Sequence, residues 1–197
     1  MIKFVCGLLL LAIVHFNFEE QTFTQPHHWP KPHYNFENNK LTQEKILLGR
    51  VLFYDPILSK DSTISCNSCH SQVNALTHVD HALSHGIHDS VGTRNSPALM
   101  NLAWQKNFMW DGAINNLDMQ SLSPTSHLAE MASNINDVVK KLNRSKMYKR
   151  LFDDAYNDGN ATGEHVLKAI AQFMLTIVSA NSKYDKVMNN EDKFTLQ

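Results

Sequence analysis

Two cysteines three positions apart, followed at once by a histidine, carry the most specific chemistry in this chain: Cys66-Asn67-Ser68-Cys69-His70. Residues i and i+3 lie on one side of a helical turn, so both thiols can reach the two vinyl groups of a single haem. The next imidazole, His70, can then ligate the iron. The rival chemistries need other surroundings. A thioredoxin-like redox pair belongs in a βαβ unit, and a structural zinc site needs more thiolates or a second paired motif; the sequence offers neither. The expectation is one covalent haem c, held by Cys66 and Cys69 with His70 as the proximal iron ligand.

Four of the eleven histidines, His78, His81, His85 and His88, crowd one short stretch. Their spacing would suit an adventitious metal ion on a helix, or simply a solvated loop with incidental imidazoles. Met100 and Met109 are further axial candidates; a methionine ligand raises the potential and suits an electron carrier.

These groups must be positioned by a chain of 197 residues, long enough for one domain with a core of its own. A formal net charge of −1 leaves no basic footprint for nucleic acid. Residues 1–20 read as a signal peptide. Lys3 precedes the apolar run Phe4 to Val14, which is too short to span a bilayer core of about 30 Å. Retention as an N-terminal membrane anchor is the alternative, because no small-x-small cleavage site follows. The exported, periplasmic location that a signal implies would usually favour a disulfide, but the spacing of Cys66 and Cys69 favours haem.

Residues 21–40 form a polar, proline-bearing lead-in, and the haem domain is expected over 41–189. Thr42 caps a helix to about Tyr54, with Ile46, Leu47, Val51 and Tyr54 as its buried stripe and Gly49 as a point of close packing. Asp55-Pro56 ends it. Residues 55–136 are rich in turn signals, which makes sense if this stretch wraps a large apolar cofactor. Helices return from Asp137 to Asn143, after a cap at Ser145, and from Thr162 to about Ser179. The fold is expected to be all-α, a cytochrome c-like haem domain with long loops around the haem.

Several motifs in order resemble the bacterial di-haem cytochrome c peroxidases and their MauG-like relatives. They are Leu48-Gly49-Arg50 through Asp55-Pro56 and Leu58-Ser59, the haem motif, Arg94-Asn95-Ser96-Pro97-Ala98-Leu99 with Asn101, and Phe108-Met109-Trp110-Asp111-Gly112. Gln120, Glu130-Met131 and Leu175-Thr176-Ile177-Val178-Ser179 complete the series. The match is to the family's N-terminal, peroxidatic domain. A second haem domain follows in the family, so residues 190–197 are read as the start of a linker. The chain is expected to be a fragment or a single-haem variant.

The resemblance implies a c-type haem peroxidase that reduces hydrogen peroxide to water with electrons from a small donor protein, a cytochrome c or a cupredoxin. It implies Glu130 and Gln120 as the catalytic pair beside the iron and His88 as a displaceable distal ligand, with His85 its competitor. Trp110 would be the aromatic residue between haems, Arg94 a partner for a haem propionate, and Asn95 a calcium ligand. A homodimer is compatible with the same resemblance. Where the family has Arg after Asp-Gly, this chain has Ala113. Two other functions remain open: a single-haem electron carrier without peroxidase activity, and a MauG-like enzyme that modifies a protein.

Overall fold

The computed structural model describes residues 23–195; the expected signal peptide and the last two residues of the expected linker lie outside them. From Phe23 the lead-in passes through a turn at 27–28 and one 3-10 turn, Phe36–Asn38, and it is strapped along the helices. His33 and Tyr34 N–H both donate to Ala103 O, at 2.8 and 3.0 Å. Trp104 Nε1 donates to Pro30 O at 2.7 Å. The strap ends on the fully buried Gln172, whose Nε2 donates to Asn39 O and Oδ1, both at 2.8 Å, and whose Oε1 accepts Thr42 N–H at 3.2 Å. A buried amide is stable only with its groups partnered, and here the strap supplies the partners.

Helix α1, Gln43–Tyr54, starts as expected: Thr42 Oγ1 accepts Lys45 N–H at 3.3 Å, and Glu44 lies in the first turn. Its inward face differs from the expected stripe. Leu48, Gly49, Leu52 and Phe53 are buried, whereas Leu47 is 52% and Tyr54 36% exposed. Residues 46–48 and 51–54 are apolar almost all round, so periodicity alone does not choose a face. Gly49 chooses it, since a Cβ there would lie 1.9 Å from Ala169 O. Only a glycine lets the two helices meet so closely, and the residues flanking it go inward.

The haem motif forms α2, Cys66–Cys69. Residues 55–136 are loop-rich as expected but hold two further short helices, α3 at Leu117–Gln120 and α4 at Leu122–Ser126. Isolated bridges Ser71–Thr77, His85–Val91 and Phe108–Ile114 pinch the loops shut, and no strand forms among the described residues.

Helix α5, Ile135–Arg144, begins two residues before the expected start because Asn134 Oδ1 accepts Asp137 N–H at 3.0 Å. Helix α6, Lys146–Tyr156, is capped by Ser145 and turns Tyr148 and Phe152 inward. Helix α7, Gly163–Leu175, is capped by Thr162 and stops four residues short of Ser179. Thr176 Oγ1 donates back to Phe173 O at 2.7 Å, and Ile177 O accepts Asn101 N–H at 2.9 Å in place of a helical partner. A last helix, α8 at Lys183–Met188, rests on a Ser182–Asp185 capping box.

Helices α1 and α7 pack against each other at the centre, with α3 and α6 beside them. The architecture is all-α, as expected. No helix among the described residues is long and apolar enough to cross a membrane.

Candidate active site

The approach to α2 is held from two sides. Asp55, which ends α1, accepts Tyr148 O–H from α6 on Oδ2 at 2.7 Å and Ile57 N–H on Oδ1 at 2.8 Å. The Lys141 ammonium on α5 donates to Ile57 O at 3.3 Å, to Ser59 O, to Lys60 O at 3.0 Å and to Ser62 Oγ at 3.2 Å. A single cation thus gathers the carbonyls of the turn that delivers Ser65 to α2, where Ser65 and Ser68 form a capping box.

Cys66 and Cys69 are free thiols, one helical turn apart. Burial pushes the Cys66 thiol up to about 12, with the neighbouring Cys69 adding to it. Burial also raises Cys69, and the Glu130 carboxylate raises it further. Both shifts favour the neutral thiol.

His70 follows, and the chain then turns through Ala75 and Leu76, both left-handed at φ 57° and 59°. That turn brings Leu76 O to 3.0 Å from His70 Nδ1. A carbonyl can only accept, so Nδ1 carries the proton and Nε2 keeps its lone pair for a metal. Burial also lowers the pKa of His70, against the carbonyls of Leu76 and Pro97, which favours the neutral ligating ring.

These three side chains line a cleft of about 320 Å³, a size typical of cofactor pockets. Phe53, Ile64, Leu99, Ile170 and Met174 add apolar wall. Gln120, Met109, His127 and Glu130 line the same cleft. Gln120 ends α3, and its Nε2 reaches Met109 Sδ at 3.5 Å. Glu130 sits on the turn after α4, where its N–H donates to His127 O at 3.0 Å. Burial raises its carboxyl above the ordinary range, and the adjacent His127 opposes this.

The other expected residues divide. Trp110 lines the cleft and is 63% exposed, its indole N–H donating to Asn95 O at 2.7 Å. Arg94 also lines it, with one N–H taken by Asp111 Oδ2 at 2.9 Å. Asn95 spends its amide within its own loop, donating to His78 O at 2.9 Å and accepting Ser96 N–H at 2.8 Å. The calcium expectation therefore rests on the resemblance alone.

His88 and His85 do not line the cleft. The His88 side chain is 75% exposed and lies 3.8 Å from Asp61 Oδ2. His85 Nδ1 pairs with Asp89 at 2.6 Å, and its ring touches that of His81. The backbone sets this: Ile87 N–H is pinned to Glu130 O at 2.8 Å, and the consecutive left-handed residues His88 and Asp89 turn the chain outward.

His127, which belongs to no sequence motif, also lines the cleft. It stands three residues before Glu130, a spacing that was legible in the sequence but whose consequence depends on the turn.

Two free thiols on one helical turn, an imidazole with Nε2 available and an apolar wall are the donor set and surroundings that haem c requires. The comparisons with known proteins agree. The family model for di-haem cytochrome c peroxidase matches residues 43–193. The chain is 33% identical to the methylamine utilization protein MauG of Methylorubrum extorquens over 83% of its own length and 45% of the relative's. It is 34% identical to the cytochrome c peroxidase Ccp of Escherichia coli, over 76% of this chain and 32% of that one.

Among solved structures, a MauG-like protein associated with microbial copper homeostasis superimposes with a TM-score of 0.79 at 28% identity. The superposition covers 89% of this chain and 52% of that one. The chain belongs to the di-haem cytochrome c peroxidase family, and its cofactor is of the haem c type. It spans about half the length, or less, of the curated relatives it matches.

Proposed function

We propose that this chain is an exported, periplasmic peroxidase domain that reduces hydrogen peroxide to water. One observation carries the reading: Glu130 and Gln120 line the cleft that also contains Cys66, Cys69 and His70. Haem c, when bound, supplies a redox-active iron that takes electrons singly and a position for peroxide. Everything else falls to the protein. Cys66 and Cys69 hold the group and His70 Nε2 ligates it.

Reduction of one peroxide to two waters consumes two electrons and two protons. The electrons come from a small donor protein, a cytochrome c or cupredoxin, and Trp110, exposed at the cleft, is a stepping point for them. Glu130 takes the proton from one peroxide oxygen and returns it to the other as the O–O bond breaks. Gln120 leaves its weak partner Met109 and donates to the departing oxygen. For His88 to act as a displaceable ligand, the 87–90 turn must swing inward and release Asp61.

A MauG-like reading has specific support in the MauG relatives and the exposed Trp110. In it the oxidising equivalents leave through Trp110 to a partner protein. The test is stoichiometric. With haem-loaded protein and a one-electron chemical donor, a peroxidase oxidises two donors per peroxide and turns over. A carrier leaves peroxide untouched, and a MauG-like enzyme consumes peroxide only with its protein substrate.

A further inference from the structure

His127 is the residue of the cleft that the peroxidase reading leaves without a task. It terminates α4 with extended backbone, φ −69° and ψ 127°. Its carbonyl then accepts both Glu130 N–H and Ala132 N–H, each at 3.0 Å. This tight turn sets the two side chains on one side, with His127 Nδ1 3.5 Å from Glu130 Oε1. The imidazole is 52% exposed and the carboxylate 36%, so the pair runs from solvent into the cleft.

Nδ1 has two mutually exclusive partners. It accepts Ala129 N–H at 3.3 Å, which needs a free lone pair. It donates to Glu130 only when it carries a proton. Protonation therefore moves Nδ1 from a backbone donor to the carboxylate of Glu130. We infer that His127 is the proton relay of this site, taking protons from solvent and passing them to Glu130.

The inference rests on the peroxidase reading. In each transfer the Nδ1–H bond breaks with its electron pair left on nitrogen, and the Oε1–H bond forms. The ring returns to Ala129 N–H, and the protonated carboxyl gives its proton to an oxygen of the cleaved peroxide, which restores the carboxylate for the next one. His127 touches no reacting atom; it acts through Glu130. The other titratable groups around the pair do not compete for this role. Cys69 on α2 is a thiol kept protonated, His70 is committed through Nδ1 to Leu76, and Arg94 and Asp111 are paired with each other.

The test uses haem-loaded protein with His127→Gln, Glu130→Gln and the double variant. His127→Gln should slow peroxide reduction about tenfold to a hundredfold and flatten the pH dependence of its rate. In the Glu130→Gln background it should add no further loss, since one path cannot be cut twice. An infrared titration of the Glu130 carboxyl gives a readout independent of turnover. With the cation gone, burial is unopposed, and the carboxyl should stay protonated to higher pH in His127→Gln. A wild type that reduces peroxide while His127→Gln keeps its rate and pH profile overturns the relay and leaves the peroxidase reading standing. A wild type without peroxide reduction overturns both, even where the infrared shift shows the two side chains coupled.

Discussion

Ile87 and Glu130 are joined through their backbones: Ile87 N–H donates to Glu130 O at 2.8 Å. Beside them a Cβ on Gly86 would meet Ala129 O at 2.2 Å and Glu130 Cα at 2.5 Å. The loop that carries His85 and His88 is therefore seated directly on the turn that aims the Glu130 carboxyl. Movement of one must be felt by the other.

Gly86→Ala should separate them. Both obstructing groups are backbone and cannot rotate away, so the turn itself must shift, at a cost of about 1–3 kcal/mol. Thermal unfolding should fall accordingly. Peroxide reduction should drop by more than the lost folded fraction, because Glu130 is displaced. A variant with wild-type stability and rate would show that the contact is not maintained in solution.

Tyr148→Phe removes the hydroxyl that donates to Asp55 at 2.7 Å across the α1–α6 corner. It leaves a part-buried carboxylate with one donor fewer, at a cost of about 1–3 kcal/mol. Urea unfolding monitored by helical signal should report that loss. Haem content should be preserved, since Lys141 still gathers the turn leading to α2.

Stability should also respond to pH through Glu130. Burial holds its carboxyl above its ordinary value of 4.5, so across the interval above that value the folded state binds more protons than the unfolded one. Stability from this group is therefore present at low pH and lost as pH rises through the folded value. Glu130→Gln cannot titrate. Its melting temperature should exceed that of the wild type near neutrality, and the difference should shrink toward pH 4.5. A difference that grows on acidification would reverse the sign assigned here.

Much of the frame was legible because it rests on local chemistry. Thr42, Ser145 and Thr162 each place a hydroxyl where a helix must begin, and each caps one. The Cys-x-x-Cys-His spacing similarly carries its own geometry, since one helical turn fixes which side chains share a side. What the sequence does not reveal depends on distant partners. The inward face of α1 is set by Ala169 on α7, and the end of α7 by Asn101, seventy-odd positions away in the chain. The outward turn of His88 follows from a backbone bond to Glu130, which no spacing within the histidine cluster reveals. His127 stays unmarked in the sequence for the same reason, because its meaning lies in a turn that exists only once α4 is in place.

The central claim is that the cleft holding the haem motif also moves the peroxide proton, and Glu130→Gln tests it most directly. The variant keeps size and polarity but cannot carry a proton. Haem-loaded wild type and variant should be mixed rapidly with hydrogen peroxide and the reaction followed in the haem absorption. The account predicts a rate at least about a hundredfold lower in the variant, with haem content and reduction potential unchanged. Equal rates for the two proteins would contradict it and leave Glu130 a surface carboxylate beside an electron carrier's haem.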